Sequence, residues 1–201
     1  MGGRRIFWAL FSASVLAIGF LVSMPASGQE ILYDNGPDGD IGYYHVNLGS
    51  VVANSFMLSD DATISNAVLT IYDVDDRNAP EYLEWAITTE PFGGTVKGGG
   101  FVSLSRLQPP YLTRFLFFAW KVGFAIPNLE LPAGTYYLQI QDVTTTWGTW
   151  AFWAESAGGS STGYYEAIAE NAVGGSIGAS ISPVPSESFY VAGAWTRQRP
   201  D

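Results

Sequence analysis

Residues 115–126 read FLFFAWKVGFAI. Leu116, Phe118, Trp120, Val122, Phe124 and Ile126 stand at every second position. Successive side chains of a strand point to opposite faces, so all six line one side; at helical spacing they would be scattered around the circumference. The stretch therefore predicts one long strand with an apolar face turned to a core. Its other face carries Phe115, Phe117, Ala119 and Lys121 and is only partly solvated.

The same alternation recurs on either side. Leu83, Trp85 and Ile87 oppose Tyr82, Glu84 and Thr88; Tyr136, Leu138 and Ile140 oppose Thr135, Tyr137, Gln139 and Gln141. Tyr44, Val46 and Leu48 oppose His45 and Asn47. Val68–Tyr72 is bulky or β-branched on both faces, as in a central strand covered on both sides. Ser55–Leu58, Thr95–Leu104, Thr149–Ala154 and Ser188–Ala194 are further strand candidates. Turn signals separate them, among them Asp34-Asn35-Gly36-Pro37, Pro91-Phe92-Gly93-Gly94 and Leu131-Pro132-Ala133-Gly134. Nine or ten strands punctuated in this way predict an all-β, jelly-roll-like antiparallel sandwich. Helix competes only over Tyr165–Val173, where a loop is an equal reading.

The chain opens with Arg4 and Arg5, an apolar run from Ile6 to Met24, and the small residues Ala26 and Gly28 before Gln29. That is the layout of a secretory signal peptide over residues 1–28 cut before Gln29; a retained membrane anchor is the competing reading. Residues 29–201 then make one domain, secreted or periplasmic, with no membrane segment after cleavage. No cysteine is present, so packing, or a bound ion, replaces disulfides. Nineteen acidic residues against seven basic ones give the mature chain a net charge of −12. Such a field repels nucleic acid and acidic lipid surfaces, whereas cations and neutral polymers are not repelled.

Asp34, Asn35, Asp38 and Asp40 fall within seven residues, with Gly36 and Gly39 between them. Alternating acids with glycine turns suit the flexible oxygen coordination of calcium, and a structural calcium ion is the one cofactor expectation. The full EF-hand pattern fails, because His45 stands at the twelfth position; a solvated Asx-rich turn is the plainer reading. His45 is the sole histidine and belongs to the face opposite the apolar one, so a histidine-based zinc site is excluded by count. No nucleophile-elbow sequence supports a Ser-His-Asp apparatus, and no catalytic residue is assigned. Paired carboxylates for glycoside hydrolysis need not be local in sequence, but Glu81 and Glu84, spaced by three, point to opposite faces of their strand, and Glu155, Glu166 and Glu187 read as scattered through loops, where among nineteen acids some pair comes close by chance.

Trp85 and Trp120 belong to apolar faces and are core. Trp147, Trp150 and Trp153 cluster in TTTWGTWAFW; as a strand, Trp147 and Trp153 share a face and Trp150 with Phe152 the other. Sugar rings stack on indole and phenol rings while amides and carboxylates bind their hydroxyls. Trp147 or Trp150 beside the polar Tyr137, Gln139 and Gln141 face makes the expected ligand platform; plugging the end of the sandwich is the plainer role.

Several phrases taken together resemble a family of exported bacterial β-sandwich proteins, many of which carry a C-terminal PEP-type sorting tail and come from exopolysaccharide producers. They are Tyr33-Asp34-Asn35-Gly36-Pro37, Asn54-Ser55-Phe56-Met57-Leu58-Ser59, residues 85–94 (WAITTEPFGG), residues 131–138 (LPAGTYYL) and Ser186-Glu187-Ser188-Phe189. The resemblance implies a secreted sandwich in or near the extracellular matrix and brings no catalytic residues. The sequence ends at Thr196–Asp201 without the Pro-Glu-Pro, apolar helix and basic end of the tail, so sorting by that route is not expected. The Asp- and Asn-rich loop of relatives is here Ala154-Glu155-Ser156-Ala157-Gly158-Gly159.

The functional expectation is a non-enzymatic extracellular module that binds polysaccharide. Its alternatives are an adhesion or matrix protein presenting Phe115 and Phe117 to a protein partner, and a small glycoside hydrolase.

Overall fold

The computed structural model describes residues 29–159, 161–167 and 182–196. The expected signal segment and most of the Tyr165–Val173 stretch lie outside these; the start of the latter is strand. The described chain forms β1 (Glu30–Asp34), β2 (Asp38–His45), β3 (Ser50–Leu58), β4 (Ala62–Asp73), β5 (Pro80–Thr88), β6 (Val96–Ser103) and β7 (Ser105–Arg106). It continues through β8 (Tyr111–Leu112), β9 (Phe118–Leu131), β10 (Gly134–Thr145), β11 (Ala151–Ser156), β12 (Gly163–Ala167), β13 (Ser182–Val184) and β14 (Phe189–Trp195). The excess over nine or ten comes from the two- and three-residue pieces β7, β8 and β13, too short to leave a period-two signal, and from the five-residue strands β1 and β12.

The strands build an antiparallel sandwich. Sheet A runs β1-β14-β4-β11-β2, with β9 on the other edge of β4 and β7 and β8 on the far side of β9. Sheet B runs β13-β12-β3-β10-β5-β6. Strands remote in sequence lie side by side (β1 with β14, β3 with β10, β4 with β9), which is the wrapping expected of a jelly-roll-like path. The inward faces read from alternation meet in one core: Trp120, Val122, Phe124 and Ile126 from sheet A against Trp85, Ile87, Leu138 and Ile140 from sheet B. The Trp85 and Phe124 rings lie 5.9 Å apart across it. Each such side chain contributes about 1.5–3 kcal/mol when fully buried.

Two strand bounds differ from the alternation. The strand expected from Phe115 begins at Phe118, because the chain turns at Thr113–Leu116: Leu116 has φ 63° and donates its N–H to the Thr113 carbonyl at 3.0 Å. Leu116 is therefore exposed (73%), not core. Likewise β2 stops at His45, and Leu48, with φ 56°, is exposed. The turn folds Phe115 and Phe117 back over the outer side of sheet A, where they pack at 5.3 and 5.0 Å from the Tyr43 ring, beside buried Tyr72 and Phe152. Both phenylalanines are half-buried, so they do not form the exposed contact patch that the adhesion reading required. The same cover explains why Leu69–Tyr72 is buried on both faces.

Sheet A forks beside β4. Phe189 pairs with Leu69 and Trp153 with Ile71, so β14 and β11 share one edge of β4 end to end. Neither can continue along it without meeting the other. Residues 154–156 and 186–188 leave together, and they pair with each other: Ser156 and Ser188 donate backbone N–H groups to Ser186 and Ala154, and Glu155 bridges Glu187. The junction turns toward sheet B, where the Asn54 Oδ1 of β3 accepts the Glu187 N–H at 3.2 Å.

Candidate functional site

Parity along β10 places Tyr137, Gln139 and Gln141 on the outer face of sheet B, as the alternation requires. Gln139 Nε2 donates to Thr88 Oγ1 at 2.8 Å and Gln141 Nε2 to Glu84 Oε2 at 2.9 Å, both on β5. Tyr137 meets the Tyr164 ring of β12 edge-on at 5.8 Å. Two aromatics that sequence reasoning did not assign complete the face. Tyr82 of β5 and Phe101 of β6 stack with ring centroids 5.6 Å apart and planes 10° apart, yet remain 40% and 65% exposed. Phe101 is directly opposite Glu84, and Gly99 is opposite Ala86, so a raised ring pair stands beside a low floor and a row of amides and a carboxylate. A Cβ on Gly99 would fall 2.9 Å from the Trp85 carbonyl oxygen, so the floor has no room for a side chain.

The two tryptophans expected on this platform make contacts of their own. Trp147 is in the turn after β10; its N–H donates to Asn78 Oδ1 at 2.7 Å and its ring carries the Arg77 guanidinium at 5.1 Å. It caps the end of the sandwich. Trp150 packs edge-on at 5.9 Å from the His45 ring, on the outer side of sheet A. Both are exposed. The cause is local: residues 146–150 form a turn, not the strand that would have aligned Trp147 with Trp153.

His45 is half-buried, 4.2 Å from the Phe152 ring. Burial lowers its pKa, and a hydrogen bond with Asn47 offsets part of this. The unfolded chain protonates near pH 6.5 and the folded one only at lower pH. Stability from this residue is thus complete above about pH 6.5 and declines as pH falls toward the folded pKa. The urea midpoint should drop more between pH 7.5 and 5.5 in the wild type than in His45→Gln. Equal drops would show that the ring titrates as in the unfolded chain.

Strand β2 begins at Asp38 and straightens the Asp34–Asp40 run, and Asp34, Asp38 and Asp40 do not form a metal-holding group of three among the described residues. Asp34 Oδ1 accepts the Gly36 N–H at 2.8 Å, Asp38 accepts the Tyr72 and Tyr111 hydroxyls, and Asp40 Oδ2 accepts the Arg114 N–H at 2.8 Å, leaving Oδ1 unpartnered. Burial, then the bond to Asp38, raises the pKa of both tyrosines. Asn35 turns the other way, into the sandwich, and is 1% exposed. Its Nδ2 donates to the Glu187 carbonyl at 2.6 Å, and its Oδ1 accepts the Tyr33 hydroxyl at 3.1 Å and the Ser161 N–H at 3.2 Å.

Asp34 and Asp38 instead help to wall a half-open cleft of about 480 Å³ on the outer side of sheet A, with Thr70, Tyr111, Lys121 and Tyr190. The Lys121 ammonium is 5.7 Å from the Tyr190 ring centroid. Comparison of the sequence with models of known protein families, and with curated proteins, gives no match.

Proposed function

We propose that the protein is an exported, non-enzymatic β-sandwich module that binds extracellular polysaccharide on the outer face of sheet B. The observation that carries this reading is the exposed Tyr82–Phe101 stack beside Glu84, Gln139 and Gln141. Flat ring faces take up the C–H faces of sugars, and the adjoining carboxylate and amides take up hydroxyls. The acidic mature chain favours a neutral polymer over a polyanion. The resemblance to exported sandwich proteins of exopolysaccharide producers points the same way. Glycoside hydrolysis is less well supported: Glu81 accepts the Thr146 hydroxyl at the sandwich end while Glu84 lies on the face, so these two do not flank one bond.

Affinity electrophoresis through gels containing neutral polysaccharides tests the proposal. Tyr82→Ala combined with Phe101→Ala should weaken binding about tenfold or more, since each stacked ring is worth roughly 0.5–1.5 kcal/mol beyond its buried area. Trp150→Ala should bind as the wild type does. Unchanged retardation of the double variant would sink the assignment of this face.

A further inference from the structure

Glu155 and Glu187 face each other at the fork of sheet A. Glu187 is fully buried, and neither of its carboxyl oxygens has a hydrogen-bond partner. Glu155 is 9% exposed, and its carboxyl fills the place of a missing side chain: a Cβ on Gly42 would lie 2.4 Å from its carboxyl carbon and both oxygens. Tyr44, two residues along β2, feels both acids, which add to burial in raising its pKa. Asn54, also fully buried, is oriented by its Oδ1 accepting the Glu187 N–H. Its Nδ2 forms no hydrogen bond of proper geometry, yet the amide is near enough to favour the ionised form of Glu187.

Among the described residues no cation opposes the pair, and the ion pairs are those of Arg77 with Asp75 and Asp76, at the surface. Burial dominates at Glu187 and pushes its pKa well up, and Glu155 adds to the push. A buried, unpaired carboxylate is strongly disfavoured, and a second one beside it more so. Neutrality must come from protons or from a bound cation. Neither carboxyl oxygen of Glu187 is partnered, and two facing glutamates offer the all-oxygen donor set of a hard divalent ion.

We propose that Glu155 and Glu187 form an internal site for one divalent cation of the calcium type, which ties the fork of sheet A to β3. Calcium takes six to eight oxygens, so water completes the shell. A cleft of about 330 Å³, lined by Ser156, Gly158, Ser161, Thr162, Pro185 and Ser186, is built from the residues next to both acids in sequence. The site is independent of the polysaccharide reading and distinct from the Asp34 stretch.

Calorimetric titration of the mature chain with calcium chloride at pH 7.5, with melting curves in calcium and in chelator, tests it. The wild type should bind one ion per chain. At a free concentration a hundredfold above the dissociation constant its Tm should rise about 5–10 °C. Glu187→Gln keeps the shape and removes a buried charge, so it should fold, melt in chelator no lower than the wild type, and show no calcium response. Asp34→Asn should respond fully. The proposal is overturned if calcium, magnesium and manganese all leave the wild type unchanged, or if the response survives Glu187→Gln. A response lost in Asp34→Asn would overturn it equally, by placing the ion at the outer loop. Stability that falls as pH rises through neutrality, regardless of calcium, would mean that the pair carries protons instead.

Discussion

Asn35→Asp is expected to destabilise the protein by about 3–5 kcal/mol, the range for an unpaired charge left in a buried network. The substitution changes one atom and nearly no volume. It replaces the amide that donates to the Glu187 carbonyl at 2.6 Å with an acceptor facing an acceptor. It also adds a third acidic group to a junction that already holds Glu155 and Glu187. The site cannot yield: the Asn35 N–H donates to the Phe189 carbonyl at 2.9 Å, and its own carbonyl accepts the Ser156 hydroxyl. Urea denaturation at pH 7 measures the effect. A metal-ligand role predicts the reverse, because aspartate is the better calcium ligand, and the variant would then keep or gain stability in calcium. A variant that unfolds at lower urea with or without calcium assigns Asn35 to the fold. Asn35→Ala should be milder, since it strands the same partners without adding charge; each stranded group costs roughly 1–3 kcal/mol.

The residues of this junction show where the sequence is legible and where it is not. Alternation exposed the inward faces of β5, β9 and β10, because a strand with one buried face must repeat every two residues. It overran at Phe115 and Leu48 for one reason: a left-handed turn at a leucine, with no glycine at that position, leaves the apolar pattern intact while the chain reverses. Parity alone put Tyr137, Gln139 and Gln141 on a common outer face. Tyr82 and Phe101 joined them only once β5 was known to lie between β10 and β6, and strand order leaves no local trace. The acids at Asp34, Asp38 and Asp40 attracted attention by crowding, which reports composition, whereas burial separates Asn35 from them. Glu155 and Glu187 read only as scattered loop acids, since their meeting is fixed by two strands competing for one edge of β4.

The tryptophans of the 147–153 segment offer the sharpest test of that distinction between composition and placement. Trp153→Ala is expected to cost about 3–5 kcal/mol, the range for deleting a large aromatic from a core that cannot close around the gap. Trp153 is fully buried, edge-on at 5.7 Å to Phe189, and its Nε1 donates to the Ser188 carbonyl at 2.9 Å. Trp153→Phe keeps most of the apolar surface but strands that carbonyl, at about 1–3 kcal/mol. Trp150→Ala and Trp147→Ala remove exposed rings and should each cost well under about 1.5 kcal/mol, with Trp147 the larger because it carries Arg77. Urea midpoints of the four variants should therefore order as Trp150→Ala, Trp147→Ala, Trp153→Phe and Trp153→Ala, from most to least stable. The hydrogen bond of Trp153 reaches the residue next to Glu187, so the indole fixes the arm from which one of the two buried acids projects. If Trp150→Ala destabilised as much as Trp153→Ala, residues 147–153 would be a continuous strand with both faces covered, and the fork with its acid pair would have no place in the fold.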